Sequence, residues 1–549
     1  MIDDPVAFPT LDASEIAAID TLGSRRSISA GEYLYRAGDA KYDFYVVVSG
    51  AVEIVVREDG AERVVARFGP GNFLGELNLL TGQRVYVSAR VAEPGEVIDV
   101  PGAAVRELFA ARPKLADIIL AAFIARRARL LRDAATAIRV VGSRFSPDSL
   151  RLREFLARNR IPHEFVDADG DPHVERLLRD FAVEPADLPV VIAPGTVLRH
   201  PTPGDLAAYL GLTLDAIPQR SFDLVVIGGG PAGLAAGVYG ASEGLDTLVL
   251  EMVAPGGQAG ASSRIENYLG FPTGISGADL AQRAVVQAEK FGARLTSPCT
   301  AEHLREAAGY LVIHLSDGTD VTGRAVIVAS GARYRRLEAA RLEEFEGNGV
   351  YYAATEIEAR LCAGSPVVVA GGGNSAGQAA LFLADSCSNV SVVIRGSDLG
   401  KDMSRYLVDR IEADARITVR TDTMVTAVEG DQTLTAVRLR TAGDESVVPC
   451  VGLFSFIGAE PASGWLSGCA ALDQRGFVLT DRSIGAERLD ERWAALDRPP
   501  LPFETSHPGL FAVGDVRSGS TKRVAAAVGE GSAAVRSVHE FLAFAHSSG

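Results

Sequence analysis

Residues 222–251 read FDLVVIGGGPAGLAAGVYGASEGLDTLVLE. An apolar run, Leu224 to Ile227, meets Gly228, Gly230 and Gly233, with Pro231 and Ala232 between the last two. A helix-length stretch of small residues follows, then a second apolar run ending in the acid Glu251. Each part has a physical task. Glycines permit a tight turn and let the backbone approach a pyrophosphate, while the helix N-terminus offers N–H groups and the positive end of its dipole. Glu251, 18 residues after Gly233, can accept hydrogen bonds from ribose hydroxyls. A lone glycine triad is weak, but strand, glycines, helix, strand and acid in order predict a dinucleotide site in a doubly wound α/β domain.

The pattern returns at residues 365–398, SPVVVAGGGNSAGQAALFLADSCSNVSVVIRGSD. Gly371, Gly373, Asn374, Ser375 and Ala376 follow the strand-like run Val367 to Ala370. Here the run after the helix ends in Arg395 instead of an acid. An acid would repel a 2′-phosphate and an arginine can pair with one, which favours NADPH over NADH. The competing reading is an ordinary surface arginine.

The chain has 549 residues, 47% hydrophobic and 23% charged, a globular mix long enough for three or four domains. Its formal charge of −16 argues against a nucleic-acid partner, which needs a basic face. No run approaches the ~20 apolar residues of a membrane span, and the acidic start MIDDPVAFPT has no signal-peptide core. A cytoplasmic location is expected. The five cysteines, Cys299, Cys362, Cys387, Cys450 and Cys469, include no Cys-x-x-Cys and no zinc spacing, so each is expected to be a small buried residue.

Residues 217–549 resemble the low-molecular-weight thioredoxin reductases. GGGPAGLAA and the Gly256-Gly257-Gln258 triplet match the FAD half, and VIVASGARYRRL resembles the crossover segment, with Ser330 for threonine and Gly331 in place. GGGNSA matches the NADPH motif, and GLFAVGDVRSGSTKRVAAAVGEG the closing FAD motif. The resemblance implies FAD and NADPH as cofactors, an NADPH domain inserted into an FAD domain, and a homodimer. It places Asn267, Gly514, Asp515 (on the ribityl chain) and Arg523-Val524-Ala525 (facing the flavin ring) at the FAD site.

One departure bears on function. The family carries CATC after a GVSY-like stretch, whereas GVYYAATE here puts Ala353-Ala354-Thr355-Glu356 in that place. Both cysteines are gone. We therefore expect an FAD-dependent NADPH oxidoreductase without a redox dithiol, serving an external electron acceptor. Glu356 replaces the cysteine nearest the flavin and is the candidate catalytic residue: a carboxyl buried there would have a raised pKa and could exchange a proton. The alternatives are a thioredoxin-disulfide reductase using other cysteines, Cys362 being nearest in sequence, or a flavin-based redox sensor.

Two further regions precede this one. Short β-like segments with Gly and Asp turns between residues 31 and 75 predict a small antiparallel barrel or jelly roll. Residues 15–135 resemble a cyclic-nucleotide-binding domain, with FLGELNLLTGQRVYVSARV as its phosphate cassette. Gly75 and Glu76 match the cassette, but Val85 stands at the phosphate-binding arginine and Arg84 comes one residue early. A cyclic nucleotide is thus a doubtful partner, and a domain that only packs or dimerises is favoured. Residues 137–214 open as strand, helix, strand and resemble a glutaredoxin or thioredoxin fold, with Ser146-Pro147-Asp148-Ser149 where that fold carries its cysteine pair and Leu188-Pro189-Val190 at its cis-proline loop. Serine cannot form a disulfide, so a structural role is expected, a peptide-binding platform being the alternative. The expected domains are 1–135, 137–214, 217–337 (FAD, first part), 338–452 (NAD(P)H) and 453–549 (FAD, second part). The fold class is α/β, with two Rossmann-like domains behind a β-barrel and a thioredoxin-type domain.

Overall fold

A computed structural model of the chain describes residues 4–58, 61–133, 138–170, 174–214, 221–262, 264–431 and 433–547. The expected boundaries at 135–137 and at 217 lie outside these residues. The chain forms two compact units. The first comprises Met1–Phe222, Gly240–Ala254 and Val285–Thr300, and the second Asp223–Tyr239, Pro255–Ala284 and Ala301–Gly549.

The first unit begins with the helix Ala13–Asp20, whose cap Asp12 accepts from the N–H groups of Ser14 and Glu15. Six strands follow, antiparallel wherever they pair. Ser88–Val100 lies between Ser24–Ile28 and Phe44–Glu58, and the latter also pairs with Ala61–Phe68. The helices Gly102–Ala111 and Pro113–Asp133 close this β-roll over a core that includes Phe44, Phe73, Phe109 and Phe123. The turn-punctuated strands of the sequence are therefore a small antiparallel barrel.

The same unit contains a four-stranded sheet. Arg139–Gly142 runs parallel to Glu164–Asp167 and antiparallel to Val190–Ala193, which pairs with Thr196–Arg199. Ser146 caps the helix Pro147–Arg158, as its sequence implies, and Leu188–Pro189 is cis. Thr247–Leu250 and Arg294–Thr296, also in this unit, are parallel partners.

In the second unit, Ser221–Ile227, Asp320–Val328, Tyr310–Leu315 and Ala301–Ala307 are successive neighbours, and Leu510–Ala512 joins Asp320–Val328 in parallel. A second sheet is wholly parallel, in the order Val350–Tyr351, Gly452–Ser455, Pro366–Ala370, Asn389–Val393, Ile417–Arg420. Its central strands read VVVA and VSVV because helices and loops bury both faces. The two chain crossings between these sheets, Ala332–Tyr334 and Ala459–Pro461, pair with each other as an antiparallel ribbon. Ser330 Oγ donates to Ala462 O (2.7 Å), and Ala462 N to Gly331 O (3.0 Å), beside that ribbon.

One buried acid in the first unit has a measurable consequence. Glu289 is buried with Oε2 unpaired, near Arg106 and Arg127. Burial pushes its carboxyl up to about 8. The folded chain then holds a proton that an unfolded carboxyl releases near 4.5, so stability is full below that pH and erodes as pH rises to about 8. Glu289→Gln removes this term. Its thermal midpoint is expected to fall several degrees less than that of the parent between pH 6 and 8. Equal falls in differential scanning calorimetry would refute the assignment.

Candidate functional site

The first glycine motif is built on close approaches. Gly228 has φ +106°, and a Cβ on it would lie 2.3 Å from Ala329 O. A Cβ on Gly233 would lie 1.8 Å from Gly228 O. Protein packing alone forbids side chains at both. Gly230 differs, because the nearest atom to a Cβ there is Gly257 Cα at 3.9 Å. Nothing in the protein requires a glycine at that point, so the open space at the start of the helix Pro231–Ser242 fits a pyrophosphate. The loop that carries Gly257 and Gln258 is held alongside, Gly256 N donating to Gly229 O at 2.7 Å. Gln258 Nε2 donates to Ala332 O in the crossing ribbon.

The closing motif packs onto the same helix start. A Cβ on Gly531 would meet Ala232 O at 2.1 Å, and one on Gly514 would meet the Ala232 Cβ at 2.9 Å. This brings Asp515 and the first turn of the helix Val524–Ser547, with Ala525 in it and Arg523 just before it, to the glycine turn. Burial raises the Asp515 carboxyl, with Lys522 opposing and Glu530 adding to the shift. Sequence reading missed Glu530. Its carboxylate accepts from Gly514 N (2.7 Å) and from Arg517 Nη2 (2.7 Å) and Nε (3.1 Å), so it fixes the backbone that presents Asp515. The signal was a single acid in a run of small residues, with no spacing to mark it. Glu251 is buried in the first unit, and one of its oxygens accepts from Val253 N at 3.0 Å. Asn267 is exposed in the loop between Ile265 and Ile275.

The second motif repeats the geometry. Gly371 has φ +142°, and a Cβ there would lie 2.4 Å from Phe456 O. Gly373, at the cap of the helix Asn374–Ala384, has nothing within 4 Å of a Cβ. Asn374 Oδ1 accepts from Ser404 N at 2.7 Å and so ties the helix start to the next loop. Ala376 is buried. Arg395 is exposed beyond the strand Asn389–Val393. Arg420, on the neighbouring strand opposite Val393, has a buried Nε without a partner and is a second cation at this strand end. Its distance in sequence hid it.

A small cleft of about 30 Å³, open to solvent, lies beside the second motif and the loop that carries Gln258. Gln258, Ala261 and Ser262 line one side, and Ala353, Ala354, Ser375, Gln378, Ala379 and Phe456 complete it. Ala353 and Ala354 of the AATE segment thus meet Gln258 and the start of the helix Asn374–Ala384 at one place. Thr355 caps the helix Glu356–Leu361, and Glu358 Oε2 accepts from Thr355 N at 2.8 Å. That cap turns Ala354 inward and Glu356 outward. Glu356 has a side chain 80% exposed and pairs with Arg360 at 3.3 Å. The buried carboxyl expected beside the flavin is therefore corrected: at the first position of this helix it points into water.

All five cysteines are free thiols. Cys362, Cys387 and Cys450 are buried in the core around the parallel sheet. Burial pushes the thiols of Cys362 and Cys450 up to about 12, and that of Cys387 upward. Cys299 shares a 3.2 Å contact with Thr296 Oγ1, and Cys469 donates to Leu304 O at 3.2 Å.

Two glycine-turn dinucleotide motifs in one chain point to an oxidoreductase that works with a pyridine nucleotide and a second dinucleotide cofactor. Comparison with known proteins agrees. Residues 222–531 match the model of the pyridine nucleotide-disulphide oxidoreductases, and residues 25–112 that of the cyclic nucleotide-binding domain. The chain is 30% identical over 330 residues to a thioredoxin reductase of Listeria innocua, covering 60% of this chain and 96% of that one. It is 32% identical over 328 residues to a thioredoxin reductase of Treponema pallidum, covering 59% and 98%. The crystal structure of Lactococcus lactis thioredoxin reductase superposes with a TM-score of 0.53 at 27% identity, over 59% of this chain and 99% of that one. The chain belongs to the pyridine nucleotide-disulphide oxidoreductase family. It is an FAD-dependent NAD(P)H oxidoreductase of the thioredoxin reductase type, a group whose cofactors are FAD and NADPH. Among the described residues no helix is long and apolar enough to cross a membrane.

Because Glu530 holds the Gly514 backbone with a charged acceptor, Glu530→Ala is expected to weaken FAD retention about tenfold. Flavin fluorescence released on dilution measures this. Retention equal to the parent would remove Glu530 from the site.

Proposed function

We propose that this chain passes electrons from NADPH through FAD to an acceptor outside the polypeptide, without an internal dithiol. The observation that carries this reading is the wall of the cleft. Ala353 stands where the family has its first cysteine, and the second position, Glu356, points into solvent. The remaining thiols support it, because burial keeps Cys362, Cys387 and Cys450 protonated and the thiolate is the reactive form.

The residues take these roles. Gly228, Gly230, Pro231, Ala232 and Gly233 would cradle the FAD pyrophosphate. Gly257, Gln258 and Gly331 border the flavin, Asp515 binds its ribityl chain, and Arg523-Val524-Ala525 offer backbone to the ring. Gly371, Gly373, Asn374, Ser375 and Ala376 receive the nicotinamide dinucleotide, with Arg395 and Arg420 as cations for a 2′-phosphate. Held by these residues, FAD would supply hydride acceptance from a nicotinamide and two-electron transfer to an acceptor.

The test replaces every thiol: Cys299→Ser, Cys362→Ala, Cys387→Ala, Cys450→Ala and Cys469→Ser in one chain. NADPH oxidation with a panel of oxidised thioredoxin, ferredoxin, flavodoxin and a quinone should stay within about twofold of the parent for the preferred acceptor. A folded, FAD-loaded variant that loses turnover about a hundredfold would show that a protein thiol carries the electrons.

A further inference from the structure

The N-terminal β-roll has the cassette of a cyclic-nucleotide domain, but Oε2 of its acid Glu76 is already held by Arg127, while Oε1 is buried without a hydrogen-bond partner. Glu76, the acid that the resemblance assigns to the ribose hydroxyl, is buried and pairs with Arg127 at 3.1 Å, their side chains 6% and 4% exposed. Arg127 comes from the helix Pro113–Asp133, and its guanidinium also donates to Asn78 Oδ1 and, at 3.3 Å, to Arg160 O of the middle domain.

The phosphate side is occupied as well. Val85, in the arginine's position, is 1% exposed and packs in the β-roll core with Tyr35 and Val52. One residue earlier the chain faces the other way. Arg84 donates from Nε to Tyr209 O (2.6 Å) and from Nη1 to Gly38 O (2.7 Å), and its backbone N–H donates to Leu210 O (3.3 Å). Tyr86, one residue after Val85, is buried in the core of the middle domain with Ile138, Phe155, Leu206 and Leu210. Pro194 of that domain approaches Gly38, where a Cβ would meet its Cβ at 2.8 Å. Arg126, the neighbouring cation on the helix, is gripped by Ala7 O (2.8 Å) and Gly75 O (2.9 Å), with its Nη2 unpaired.

We propose that the cassette is a self-liganded clamp: Arg127 occupies its acid, and Arg84 and Tyr86 fasten the middle domain of the same chain, so that the module docks a neighbour and does not receive a cyclic nucleotide. Entry of a nucleotide would take Glu76 from Arg127 and leave a buried guanidinium without its counter-charge. It would also bring a phosphate to a position held by valine.

Two measurements on the full, FAD-loaded chain test this. Isothermal titration with cAMP and cGMP, up to roughly millimolar, should give no saturable heat. Saturable binding that is lost in Glu76→Gln would overturn the proposal. Hydrogen exchange on Arg84→Ala should speed amide exchange across residues 194–212 about tenfold, with NADPH turnover unchanged. Exchange at the parent rate would show that the cassette does not fasten the middle domain. Should Arg84→Ala fail to fold, Arg84→Lys, which keeps the charge but loses the fixed guanidinium fork that reaches Tyr209 O and Gly38 O, gives the same readout.

Discussion

A methyl group at residue 233 would sit 1.8 Å from a carbonyl oxygen of the turn that precedes it. This contact between Gly233 and Gly228 sets how tightly the strand Ser221–Ile227 can turn into the helix Pro231–Ser242. Ala232, inside that turn, is the surface on which Gly514 and Gly531 of the closing segment pack. Through it, residues 300 positions apart in sequence meet at one helix start, and Glu530 then holds Gly514 in place. The second motif repeats the device with Gly371 against Phe456 O. Both sites depend on backbone approaching backbone, which only glycine permits.

That dependence explains what could be read in advance. Gly228, Gly233 and Gly371 announce themselves because no other residue fits, and the apolar runs around them have the period of buried parallel strands. The β-roll strands were legible for similar local reasons. Glu530 and Arg420 were not, because each acts through a partner distant in sequence and has no pattern of its own. Glu356 was misread. The sequence placed it correctly in the AATE segment, but its direction depends on the Thr355 cap, which makes it the first residue of a helix and turns it into water.

The two departures from the parent patterns have a common character. At the cleft, Ala353 and Glu356 stand where the resemblance has its cysteines, and Ala353 borders Gln258, Ser375 and Gln378. At the cassette, Val85 removes the phosphate's cation, and Arg84 serves a protein carbonyl instead. In each case the fold of the family is kept while the residue at a signature position differs, and a fold alone does not decide the activity it carries.

The most direct measurement is an anaerobic reductive titration of the purified flavoprotein with dithionite, followed by its absorbance. A carrier without a dithiol takes up two electrons per FAD, and its spectrum passes from oxidised to reduced flavin without a thiolate charge-transfer band. Uptake of four electrons per FAD, with that band appearing partway, would mean that a pair of cysteines accepts electrons from the flavin and that the AATE segment is no guide to the chemistry.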